Sequence, residues 1–186
     1  MKSLLLSIRP QWIEKILNKE KTIEIRKRFP KDYVGWVYIY CTKDKKYANL
    51  INRGGFLTGM VVARFWCDKV EEIKYHFGYY NMGEWAESYI LENSCLTAEE
   101  LDNYLQTSKE YDEKKVSKVY GYAIHITKLE IFDKPKEISE FKSKLHIKNG
   151  CKNCPQNTGF SMPYCATCDF LLPLNRAPQS YQFIEI

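Results

Sequence analysis

The spacing of apolar residues changes period within the first 28 positions. Leu4 to Ile8 is a short apolar run, which predicts a buried strand, and Pro10 brings the fixed φ that suits a first helical position. Trp12, Ile13, Ile16 and Leu17 follow as one apolar stripe at helical spacing, with Glu14, Lys15, Asn18 and Lys19 on the wet side. Arg9 is a poor N-cap, so this helix is expected to depend on tertiary packing. From Thr22 the period is two. Ile23 and Ile25 point one way, while Thr22, Glu24, Arg26 and Arg28 share the other face of a strand.

Further along, Gly35 to Cys41 (GWVYIYC) reads as a strand buried on both faces, and Phe56 to Cys67 as an interior strand with a bulge or coil at Gly59. An acidic middle section is expected as helices. Met82 to Leu91 would carry Trp85, Tyr89 and Ile90 on one side, and Thr97 to Glu100 is a capping box ahead of Leu101, Tyr104 and Leu105. Tyr75 to Tyr80 reads as an aromatic loop around Gly78, packed in the core or free to stack on a base. Val119 to Phe132 is a long strand, or one bent at Gly121, in which His125 is expected to be a satisfied structural histidine. Gln179 to Ile186 should return as a closing strand begun by Pro178, with Tyr181 and Phe183 on one face.

A length of 186 residues suits one domain with a small insert, large enough to bury a core without disulfides. The net charge of +5 hides an asymmetry. Residues 1–31 hold nine Lys and Arg against three Glu, whereas residues 68–113 hold twelve Asp and Glu against three Lys. Such separation fits a polyanion binder with its cations on one surface, or a folded dipole with no ligand. With 14 Tyr, 9 Phe and 4 Trp, the chain has aromatics for both core and stacking. It has no apolar run of about 18 residues to span a membrane and no secretory leader pattern, so a cytoplasmic location is expected. It also lacks a P-loop, a dinucleotide-binding glycine run and a serine-hydrolase elbow.

Two clusters carry candidate chemistry. Lys21 sits at the corner between the first helix and the charged strand, close in sequence to Arg26, Lys27 and Arg28. Guanidinium forks suit phosphate or a base edge, although a solvated strand with a Glu–Arg pair has the same pattern. Near the other end, Cys151 and Cys154, and Cys165 and Cys168, form two C-x-x-C pairs with ten residues between them. Four thiolates so spaced match a tetrahedral Zn²⁺ site with no open position, hence a structural one, and a redox disulfide pair is the alternative. The ion would crosslink an otherwise structureless stretch, with His146 a substitute ligand. Cys41, Cys67 and Cys95 read as reduced residues, which argues for a reducing compartment.

The run LLLSIRPQWIEKILNKEKTIEIRKR resembles the opening of the ASCH domains, a branch of the PUA-like small β-barrels. Their hallmark is a helix, a small turn, a Lys, then a Glu-x-Arg strand, here Lys21, Glu24 and Arg26. The resemblance implies an α+β fold: a PUA-like barrel of about six strands with two or three flanking helices; the zinc-knuckle insert at residues 144–175, read from the cysteine spacing, is not part of the common ASCH pattern and extends it. The resemblance also implies a cleft that accepts RNA or a modified nucleoside. Arg9, Lys21, Arg26 and Arg28 would contact phosphate or base edges, Glu24 would accept from an exocyclic amine, and Tyr79, Tyr80 or Trp85 would stack. Some small members of the family are amidohydrolases of N4-acetylcytidine that use a Lys, a Thr two residues before the motif Arg, and a distant Glu. Here the Thr position is Glu24, which weakens that reading; a Lys21–Glu24–Glu92 cluster polarising a water is the form it takes, and a ribonuclease is a further alternative.

Overall fold

The computed structural model describes residues 2–44, 58–76, 79–82, 85–105, 119–144 and 171–185. The four C-x-x-C cysteines and His146 lie outside these residues, as does the Arg53-Gly54-Gly55 loop tip. In chain order the elements begin with β1 (Ser3–Ile8), α1 (Pro10–Leu17), β2 (Ile23–Arg26), β3 (Gly35–Cys41) and β4 (Val61–Cys67). Then come β5 (Val70–His76), β6 (Tyr79–Met82), β7 (Trp85–Ala86), α2 (Glu87–Ser94) and α3 (Ala98–Leu105). The chain ends with β8 (Val119–His125), β9 (Thr127–Lys136), a 3-10 turn (Ile138–Glu140), β10 (Lys142–Lys144), β11 (Leu171–Pro173) and β12 (Tyr181–Ile184).

The strands form two five-stranded sheets, ordered β12-β1-β3-β4-β9 and β2-β8-β5-β6-β7, and a small β10–β11 ribbon. β1 and β3 run parallel, while every other ladder is antiparallel. The expected closed barrel of about six strands is therefore corrected to two open sheets. Among the described residues no ladder joins an edge of one sheet to an edge of the other. Instead two strand runs cross between them, β4 into β5 at Asp68–Lys69 and β8 into β9 at Ile126. The bend expected at Gly121 thus falls five residues later. At this corner the Lys69 carbonyl accepts the His125 amide at 3.0 Å, and Thr127 Oγ1 donates to the Trp66 carbonyl at 2.8 Å. Glu71 bridges His125 Nε2 (2.7 Å) and Lys69 Nζ (2.8 Å), so the histidine is partnered as expected.

Gly121 has a different use. A Cβ there would stand 2.8 Å from Leu105 Cδ2 and 3.1 Å from the Arg26 carbonyl, so its bare backbone lets β2 and α3 close in. Gly59, at φ +90°, turns the chain into β4 against the Lys43 stem.

Three clusters make the core. Leu4, Leu6, Val37, Ile39 and Phe65 pack against Ile13 and Ile16 of α1, whose N-cap Arg9 makes no side-chain cap bond, so burial of the stripe supplies its support. Each such residue contributes about 1.5–3 kcal/mol when buried. The opposite face of the same sheet, with Leu5, Tyr38 and Tyr40, lies under Phe141 and Leu174, which is why GWVYIYC is apolar on both sides. Ile23 and Ile25 face the third cluster with Ile73, Met82, Ile90, Leu101 and Leu105.

The acidic middle is partly sheet where helices were expected. Val70–His76 and Tyr79–Met82 pair as a hairpin, and the helix expected from Met82 starts at Glu87. The capping box is present. Thr97 N–H donates to Glu100 Oε2 at 2.9 Å, and Glu100 N–H to Thr97 Oγ1 at 3.2 Å.

Candidate functional site

A cleft of about 590 Å³ opens where the two sheets diverge. One side is formed by the ends of the parallel strands β1 and β3 (Ser7, Ile8, Tyr40, Thr42) and the other by β2, while Trp12 of α1, Tyr104 of α3 and the Ala177–Gln179 segment complete it. The strand period explains the floor. Because Ile23 and Ile25 must face the core, Glu24 and Arg26 are turned into the concavity, and the helix-to-strand corner delivers Lys21 beside them.

These three charges are buried: Lys21 is 2 % exposed, Glu24 6 % and the Arg26 side chain 12 %. Glu24 straddles the two cations, with Oε2 3.4 Å from Lys21 Nζ and Oε1 3.0 Å from Arg26 Nε. The second contact is an ion pair off the N–H direction, which leaves the buried Arg26 Nε–H with no acceptor among the described residues. Arg26 Nη2 donates to the Ser7 carbonyl at 2.7 Å, and Ser7 Oγ in turn to the Pro178 carbonyl at 2.6 Å. Lys21 Nζ donates to the Ser94 carbonyl at 2.6 Å, at the negative end of α2, and stands 5.3 Å from the centre of the Trp12 ring. Burial holds the Lys21 ammonium below the usual lysine range, and Glu24 offsets that in part. Burial likewise raises the Tyr104 phenol, opposed by Arg26 and by a hydrogen bond from the Lys27 backbone.

Arg9, exposed, joins Lys21, Glu24 and Arg26 in the cleft lining. The other residues singled out from the sequence do not gather there. Arg28 lies beyond the end of β2, exposed, its carbonyl accepting from Ser180 Oγ at 3.5 Å. Glu92 is exposed on α2 and absent from the lining; its neighbours Asn93 and Ser94 meet Thr22 and Lys21 instead. Tyr80 is a core residue, 2 % exposed, with its hydroxyl on Asp102 Oδ1 at 2.7 Å, because the expected aromatic loop is a strand. Tyr79 and Trp85 pair with His76 and Met82 at the far edge of the second sheet from β2; their side chains are outside the described set. Thr22 Oγ1 donates to Asn93 Oδ1 at 2.7 Å and does not line the cleft, so it offers no nucleophile there.

Sequence reasoning missed Trp12, Lys43 and Tyr104 as cleft residues. Trp12 and Tyr104 sit at apolar-stripe positions of their helices, and only their exposure, partial for Trp12 and 38 % for Tyr104, shows that these stripes run past the core. With Arg9, Lys21, Arg26 and Lys43 against Glu24, the lining is cationic, and its volume is that of a small-molecule site.

No protein-family model matches the chain, and no curated protein matches it. The fold does match solved structures. A crystal structure of ASCH from Zymomonas mobilis is similar over 98 % of this chain and 87 % of that one, with a TM-score of 0.53 at 12 % identity. A point mutant of the same protein matches over 98 % and 88 %, with a TM-score of 0.52 at 12 % identity. Two sheets, flanking helices and this likeness together identify the fold of the chain as ASCH-like.

Proposed function

We propose that the protein binds RNA or a modified nucleoside in the cationic cleft beside α1. One observation carries this reading: a buried Lys21–Glu24–Arg26 cluster lies on a concave floor with an unused guanidinium N–H, between the aromatic rings of Trp12 and Tyr104. Arg9, Arg26 and Lys43 are the phosphate-facing cations, Glu24 is an acceptor for an exocyclic amine, and the two rings are stacking surfaces. Titration of labelled single-stranded RNA at several salt concentrations tests it. Arg26→Ala is expected to weaken binding and to flatten the salt dependence by about one unit of log–log slope; an unchanged slope rejects a phosphate role for Arg26.

Hydrolysis in the same cleft is favoured by one feature, the lowered proton affinity of Lys21 beside Glu24, which suits a proton-transfer group. Incubation with N4-acetylcytidine, followed by chromatography, decides between binding and cleavage: intact nucleoside leaves binding alone. For the C-x-x-C pairs we propose one structural Zn²⁺ held by Cys151, Cys154, Cys165 and Cys168. β10 and β11 support it by pairing Lys144 with Leu171, the two described residues that flank the cysteine-bearing stretch in sequence. Zinc below about half an equivalent in freshly reduced protein overturns this.

A further inference from the structure

We infer that the main chain of Ile25, on the open edge of β2, reads the hydrogen-bonding edge of a nucleobase in the cleft. This rests on the nucleic-acid reading of the cleft and adds what discriminates a base from a bare phosphate. β2 is the terminal strand of its sheet, with β8 on one side and no strand on the other among the described residues. Two hydrogen bonds fix the phase of the β2–β8 ladder. The Ile126 amide donates to the Thr22 carbonyl at 2.9 Å, so Thr22 faces β8, while the His125 amide turns away from β2 to the Lys69 carbonyl at 3.0 Å. With Ile23 opposite His125 and Ile25 opposite Ala123, these are the non-bonded pairs. The approach of Gly121 to the Arg26 carbonyl agrees, since Arg26 must point its carbonyl at β8.

The N–H and C=O of Ile25 therefore both project from the outer edge of β2. Its side chain is packed in the core, so its place in the cleft lining is due to the backbone. The residue is only 4 % exposed, and neither outward group meets a hydrogen-bond partner among the described residues, so a donor and an acceptor stand side by side in the cleft, poorly hydrated. Each of the four bases presents an adjacent donor and acceptor on its pairing edge, the complement of such a pair; a phosphate has acceptors only. Trp12 and Tyr104 line the same space for stacking.

Calorimetric titration with single-stranded octamers of U, C and A tests this, each against a neutral counterpart with a blocked edge: 3-methyluridine, N4,N4-dimethylcytidine and N6,N6-dimethyladenosine. The expected result is binding of at least one unmodified octamer, weakened tenfold or more by its modification. Equal binding of all pairs overturns the inference and leaves a phosphate-binding cleft, whereas no binding by any octamer removes both the inference and the reading beneath it. Ile25→Pro removes the outward N–H at a position where an edge strand tolerates proline, together with part of the buried side chain, and is expected to reproduce the tenfold loss; Ile25→Val, which trims the buried side chain and keeps the N–H, is expected to bind normally.

Discussion

Two charge clusters, one on each sheet, differ in how completely they satisfy themselves. On the outer face of the first sheet, Arg64 Nε donates to Glu130 Oε2 at 2.7 Å and Nη1 to the Tyr38 hydroxyl at 2.9 Å, while the guanidinium lies 4.1 Å from the centre of the Trp36 ring. Arg64 and Glu130 are 31 % and 47 % exposed, and the hydrogen bond to Glu130 strengthens the arginine's hold on its proton. In the cleft, three charges share two longer contacts out of water, and one N–H is left over. The exposed pair is complete without a ligand. The buried cluster, held also by the Ser94 and Ser7 carbonyls, keeps one N–H without an acceptor among the described residues, and removing one of its charges is expected to cost more than at the exposed pair.

The sharpest way to break this contrast is to remove each carboxylate. Glu24→Ala strands two buried cations and is expected to cost about 3–5 kcal/mol in urea unfolding. A loss no larger than that of the surface pair would show that the cluster is already hydrated. Next in size is an alkaline effect. Burial raises the Cys41 thiol to about 11 and Cys67 to about 12, so the folded protein keeps protons that the unfolded chain releases near pH 9. Stability is therefore expected to fall as pH climbs past 9, by about 1.4 kcal/mol per pH unit for each thiol, and Cys67→Ala should lessen the slope.

Lys21 acts with the opposite sign. Its lowered proton affinity means the unfolded state binds more protons just below 10.5, so the wild type should gain on Lys21→Met as pH rises toward that value. A difference independent of pH from 7 to 10.5 would place the ammonium in water. The smallest effect is expected from Glu130→Ala, below about 1 kcal/mol, because the exposed pair is solvent-screened.

Much of this site was legible from local pattern. The alternation of Ile23, Glu24, Ile25 and Arg26 assigned faces correctly, and the Thr97–Glu100 box located α3. The acidic hairpin was not legible. Glu71, Glu72 and Lys74 are poor strand formers in isolation, and their strand exists because β8 pairs with it. For the same reason the sequence left Tyr80 open between core packing and stacking on a base, and it is core. Glu92 shows the limit of local context, since only two positions separate it from Ser94, whose carbonyl does reach Lys21.

Periodicity in the chain by itself determined which side chains of α1 and β2 turn inward, because burying apolar residues dictates the phase of each element, and the unbroken apolar runs of β1 and β3 marked them as buried on both faces. Tertiary structure alone decided that the charged face of β2 looks into a cleft, that Trp12 and Tyr104 flank it, and that the strands end as two open sheets. Those outcomes depend on contacts between residues far apart in the chain, such as Lys21 with Ser94 and Ser7 with Pro178, for which no local spacing encodes a signal.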